Sequence, residues 1–146
     1  MSKLSRVPVM HPLEPLQTYV SRLAAANGAS SAAQFGRHMN FNVRRRVESS
    51  AALKRISQIT GFDEATLGGH YLSYDGRSFV KFAEIRMLGR NVHWTSPRFC
   101  PRCIESDLRT GVGDWELRPH IRISWLANHN EVCAEHATPI FTSSVA

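Results

Sequence analysis

Cysteine is scarce in this chain: its 146 residues include only three, at positions 100, 103 and 133. So small and odd a number argues against the disulfide framework that staples small secreted domains. Long apolar runs are missing too. No stretch approaches the ~18 consecutive apolar residues of a membrane-spanning helix. The opening residues 1–17 hold no apolar run between their Pro and charged residues, so no secretory leader is read there and the cytoplasm is the expected compartment. There is no internal repeat, no low-complexity tract, no glycine-rich phosphate loop, no Ser-His-Asp arrangement and no paired-carboxylate site. A length of 146 residues leaves room for one ordinary domain, or for two small lobes that share a core. A lobe cut from this length buries little, which makes a metal staple physically useful.

Acidic charge is also in short supply, with 12 Asp and Glu against 18 Lys and Arg and a net charge of +6. Three thiolates on one Zn2+ would bring this to roughly +5. That balance suits an anionic partner, nucleic acid being the commonest, although solubility alone is an equal explanation.

What is present reads first as short helices. Leu16, Tyr19, Val20 and Leu23 recur at the 3.6-residue period and Asn27-Gly28 supplies a stop. Ser30 or Ser31 can cap a second helix with Phe35 and Met39 on one face, and Ser49 or Ser50 a third with Leu53, Ile56 and Ile59 inward. Gly61 breaks that helix, Asp63 caps a fourth around Leu67, and Gly68-Gly69 ends it. Beyond Tyr71 the texture changes. Tyr74-Asp75-Gly76 reads as a turn, while residues 79–88 fit a strand or a short helix equally well. The predicted organisation is a helical lobe at 1–75, a connecting segment at 76–94 and a zinc-binding lobe at 95–146. The expected class is mainly α, with little β structure in the zinc lobe.

The strongest motif is metallic. Cys100-Pro101-Arg102-Cys103 and Cys133-Ala134-Glu135-His136 are two pairs with the same two-residue gap, and 29 residues separate Cys103 from Cys133. A tight turn lets each pair grip one ion, and Cys3His fills a tetrahedral zinc shell. A filled shell leaves no place for an activated water, so one structural zinc per chain is expected. A thioredoxin-type redox pair is the main alternative, but its βαβ context is missing. Of the other histidines near these motifs or in the first lobe, His70, His93, His120 and His129, only His129 rivals His136 as fourth ligand. Two enzyme readings draw on the same residues. His129-Asn130-Glu131 matches the His-x-Glu of zinc deaminases, but the motif order is reversed and Cys133 and His136 go unexplained. A His-Asn-His nuclease would need His120, Asn130 and His136, which breaks the ligand set.

Residues Leu53 to Leu67 have the layout of a helix-turn-helix. Ser57 sits at the crossing, Gly61 at the turn, and Phe62 and Leu67 pack behind. Its second helix offers Asp63, Glu64, Ala65 and Thr66 and two glycines, with no Arg, Asn or Gln to read base edges. Positive charge lies instead in Arg44, Arg45, Arg46, Lys54 and Arg55, which can contact a phosphate backbone weakly and without reading sequence.

Four ordered segments together resemble the TniQ family of transposon target-selection proteins. They are Leu13-Glu-Pro-Leu-Gln-Thr-Tyr-Val-Ser-Arg-Leu-Ala-Ala-Ala-Asn-Gly28, the Leu53 to Leu67 segment with its Ile-Thr-Gly, the Pro97-Arg-Phe-Cys-Pro-Arg-Cys103 knuckle, and a closing element. The last runs through Trp115-Glu-Leu-Arg118, Trp125 and Cys133-Ala-Glu-His136. The resemblance implies a helix-turn-helix lobe followed by zinc-binding elements, and no catalysis. It implies an adaptor that connects a target-recognition complex, RNA-guided in some cases, to the AAA+ ATPase of transposition, and it admits a homodimer. This chain departs from the family pattern in having Ala134 after Cys133, where Pro is usual, and no cysteine remains for the second metal site of longer relatives. The rival class is a small zinc-containing DNA-binding regulator that uses the helix-turn-helix directly.

Overall fold

A computed structural model describes residues 3–42, 50–93 and 96–143. Four helices come first: α1 (Leu16–Ala26), α2 (Ala32–Met39), α3 (Ser50–Thr60) and α4 (Glu64–His70). Their boundaries follow from local chemistry. The Ser31 hydroxyl accepts from the Gln34 N–H at the start of α2, and the Asp63 carboxylate accepts from the Thr66 N–H at the start of α4. Asn27 caps the end of α1, and Gly28 takes the left-handed conformation at φ 75°. Gly61, at φ 87°, turns the chain between α3 and α4 where an L side chain would be strained. Leu16, Tyr19, Val20, Leu23, Phe35, Ile56, Ile59 and Leu67 form one buried cluster, with Leu53 and Met39 packed against it. The apolar stripes read from the sequence are therefore core. α4 runs one residue beyond the expected glycine stop, to His70.

Residues 73–88 resolve the strand-or-helix ambiguity. β1 (Ser73–Asp75), β2 (Phe79–Phe82) and β3 (Ile85–Leu88) form an antiparallel meander in that order. The first turn falls at residues 76–78, so Tyr74 and Asp75 belong to β1 rather than to the turn expected there. Val80 and Phe82 point inward and join Leu72, Val92, Ile123 and Leu126 in a second cluster. The period-2 signal was obscured because only β2 alternates cleanly between buried and exposed positions.

The last third holds β4 (Arg98–Phe99), α5 (Pro101–Thr110), α6 (Ile123–Leu126) and β5 (Phe141–Thr142). β4 and β5 pair antiparallel, with Phe99 opposite Phe141. Among the described residues this makes six α-helices and five short strands, so the class is mainly α with some β.

The first and last parts of the chain meet along α1. The Arg22 guanidinium donates to both oxygens of the fully buried Glu14 at 2.8 Å and to the Leu117 carbonyl at 2.6 and 2.9 Å. The Ile123 N–H donates to the Leu13 carbonyl, and the His11 ring stacks on His120 with centroids 3.6 Å apart.

Candidate metal centre

Each ligand is placed by a different local device. β4 delivers Cys100 as the N-cap of α5, Pro101 occupies the first helical position, and Cys103 follows one turn in. Pro suits that position because its missing N–H is an orphan there anyway. Both sulfurs thus lie at a helix N-terminus, where the backbone dipole favours negative charge. Cys133 and His136 lie on a tight turn whose base is closed by the Cys133 N–H to the Thr138 carbonyl and the Ala137 N–H to the Cys133 carbonyl. Ala137 adopts φ 50° as the chain leaves that turn. Pairing of β4 with β5 then sets the strand entering the first pair beside the strand leaving the second.

The result is a group of four donors, Cys100, Cys103, Cys133 and His136, whose ligand atoms all lie within 4.8 Å of one another. His136 Nδ1 is 3.3 Å from Cys103 Sγ, 3.7 Å from Cys100 Sγ and 3.8 Å from Cys133 Sγ, and the Cys103 and Cys133 sulfurs are 3.6 Å apart. Tetrahedral bonds of about 2.3 Å to sulfur and 2.0–2.1 Å to nitrogen separate ligand atoms by roughly 3.5–3.8 Å, so the spacing fits an ion of that kind. The three cysteines are free, buried, and packed with Trp125 in a third cluster. This group can hold a metal ion. Among the described residues it is the one such group, and His129 is outside it.

Two arginines that the sequence reading did not single out frame the centre. Arg98 is 5% exposed and donates to the carbonyls of Trp125, Ala127 and Asn130. Arg122 makes a two-pronged contact with Asp107 at 2.8 Å on each oxygen and lies over the Trp125 ring at 4.9 Å. Asp107 also accepts from the His120 backbone N–H and stands 3.2 Å from the His120 ring. Burial opposes the Asp107 charge, but hydrogen bonds and charge from Arg122 prevail and hold the carboxyl below its ordinary range. Burial and the charge of Arg122 push His120 down to about 4, so its ring is neutral at neutral pH. No periodicity or spacing marks these residues. Their roles depend on which backbone carbonyls and carboxylates the fold brings near.

The sequence-predicted nucleic-acid residues are dispersed differently. Arg44, Arg45 and Arg46 lie outside the described residues. Lys54 is exposed on α3, whereas Arg55 is half-buried and donates through Nε to the Met39 carbonyl at 2.7 Å. Arg55 thus braces α3 against the end of α2.

A mainly helical protein with a Cys3His metal-type centre, entered from one short strand and left by its partner, is the class these observations define. The TniQ family pattern matches residues 5–140, nearly the whole chain, and the chain belongs to the TniQ family. None of the curated proteins compared with it matches. Membership makes it a transposition-associated protein. Among the described residues no helix is long and apolar enough to cross a membrane.

Proposed function

We propose that this chain is a non-enzymatic adaptor in transposition target-site selection. It links a target-recognition complex to the AAA+ ATPase of transposition, in the cytoplasm, and one structural zinc ion holds its C-terminal lobe. The observation that carries this reading is the closed Cys3His group inside a family match that spans the chain. Three sulfurs and one imidazole nitrogen are the donor set zinc prefers, and a shell filled by four protein ligands has no open position for an activated water. Cys100, Cys103, Cys133 and His136 would hold the ion, which would supply folding energy rather than chemistry.

In this reading the helical lobe at 1–75 and the zinc lobe at 95–146 present protein-binding surfaces. The α3–Gly61–α4 element serves packing or a protein contact more readily than base readout. The exposed positions of α4 are Glu64, Ala65, Thr66, Gly68 and Gly69, none of which forms the two-pronged contacts that distinguish bases. Nucleic acid bound through Arg44, Arg45, Arg46 and Lys54 is held by its backbone, weakly and with strong salt dependence.

The test is a reconstituted insertion assay with the transposase, ATPase and targeting complex of the element that carries this chain. Omitting the chain should abolish insertion at the directed site while leaving undirected insertion intact. Directed insertion without it would reject the adaptor role. Tight binding of the isolated chain to one duplex sequence, lost when Thr66 is altered, would favour the regulator instead.

A further inference from the structure

The outward face of the meander is not used by the metal centre or by the contacts along α1. On an antiparallel sheet alternate residues share a face. With Val80 and Phe82 inward, the outward face consists of two rows running across the strands: Ser73, Lys81 and Arg86, then Asp75, Phe79 and Leu88. Lys81 stands directly opposite Arg86, and like charges in that relation destabilise a sheet. Arg86 reaches across β2, placing its guanidinium 3.9 Å above the centre of the Phe79 ring while its Nε forms an ion pair with Asp75 at 3.0 Å. Its side chain is still 55% exposed, so one side of the guanidinium rests on the ring and the other faces solvent. Lys81 is exposed. Arg77 lies in the adjoining turn and Arg90 just after β3, both exposed, so residues 73–91 carry four cations against two carboxylates, one of which Arg86 already engages.

We propose that this face binds a short stretch of single-stranded nucleic acid, with a base stacked on the solvent side of Arg86 and the adjoining phosphate held by Lys81. Charge complementarity selects an anion, and a phosphate beside Lys81 relieves the repulsion between Lys81 and Arg86. The stacked guanidinium narrows the choice further. An ordered planar cation over an aromatic ring is a platform for an unstacked base, which a duplex does not offer and an acidic peptide cannot use. Ring and carboxylate have already restricted the Arg86 side chain, so binding costs little further ordering. The three strands provide room for roughly two or three nucleotides. This proposal goes beyond the adaptor reading and does not depend on it.

The experiment is a fluorescence-anisotropy titration of the full-length chain with labelled oligo(dT), repeated over a range of salt, with thermal unfolding of every variant as a check on folding. Lys81→Ala combined with Arg86→Gln should weaken binding at least about tenfold and reduce the salt slope by about 0.7, the share of the one phosphate that Lys81 neutralises. Arg86→Lys keeps the charge and removes the plane, so it should keep the salt slope and still lose about fivefold or more, the contribution of one stacked base. Arg37→Ala combined with Arg109→Ala, at exposed positions elsewhere, should change affinity less than twofold. Should the double meander variant unfold early, the Arg86→Lys and Lys81→Ala single variants decide by the same readings. The proposal fails if the wild-type chain does not bind at low salt, or if the meander variants bind as wild type. It fails equally if the distant pair weakens binding as much, or if polyglutamate competes as well as unlabelled oligo(dT).

Discussion

The Arg98 guanidinium lies 2.6 Å from the carbonyl oxygen of Ala127, at a position only 5% exposed. The carbonyls of Trp125 and Asn130 also accept from it, so three neutral acceptors hold a buried cation. Burying a charge without strong hydrogen bonds is costly, and here each bond also fixes part of the segment that leads to Cys133. Arg98 stands two residues before Cys100. One side chain therefore ties the approach to the first ligand pair to the approach to the second.

Arg98→Ala should accordingly destabilise the chain by about 3 kcal/mol or more, because three carbonyls lose a charged donor at once. Zinc should also leave faster under chelator challenge. Arg98→Lys should recover only part of the loss, since one ammonium does not reproduce the planar fork. Denaturant unfolding measures the first effect and metal-release kinetics the second. A change within ~0.5 kcal/mol, the range of ordinary surface substitutions, would show that the clamp is dispensable.

Purified protein should contain one zinc per chain by elemental analysis. Cys133→Ser should release it and loosen the packing around Trp125, which shares a cluster with all three cysteines. Loss of near-ultraviolet circular dichroism would report that loosening. Full zinc retention in this variant would refute the ligand assignment.

Acid should weaken the chain through His120. Its folded value of about 4 lies below the ordinary 6.5, so the unfolded chain binds the proton more readily between those values. The contribution is fully present above about pH 6.5 and is lost as the pH falls toward 4, on the order of 2 kcal/mol in all. His120→Phe keeps a ring for His11 to stack on and removes the titration. Its stability should vary less across that window in urea melts at a series of pH values. An unchanged pH profile would remove His120 as the cause.

Glu14 and Arg22 should respond unequally to substitution. Burial holds the Glu14 carboxyl above its ordinary value, although the charge and hydrogen bonds of Arg22 oppose this. Arg22→Ala leaves that carboxylate buried and unpaired, which should cost about 3–5 kcal/mol at neutral pH. Lowering the pH protonates Glu14 and should return part of the loss in that variant. Glu14→Gln keeps the shape without the charge and should cost clearly less. Thermal unfolding of the two variants at neutral and mildly acidic pH makes the comparison, and equal costs at both would contradict it.

Much of the fold was legible because helix signals are local. Ser31 and Asp63 each act on an N–H three residues away, and Gly28 and Gly61 mark left-handed turns that few other residues tolerate. The metal group was legible because two pairs with equal gaps leave an ion little other arrangement. The meander was not, since β3 exposes Ile85 and Arg86 in succession and breaks the alternation that identifies a strand. Arg98, Asp107 and Arg122 were hidden for a different reason. A buried charged residue looks like a surface one until its partners are known, and the side-chain hydrogen bonds of Arg98 and Asp107 span 13 to 32 residues.

The contacts along α1 also bear on the order in which the molecule assembles. Arg22 reaches the Leu117 carbonyl across 95 residues of sequence. Glu14 is surrounded and Leu13 finds its hydrogen bond only when the chain around Leu117 to Ile123 has arrived. Such distant closures are entropically slow, so α1 can coil early but its charged face must wait. On a ribosome, residues 13–22 would emerge long before the Leu117 to Ile123 segment that covers them. Through that interval a carboxylate destined for burial stays hydrated, and the finished fold forms only when the first and last quarters of the chain meet.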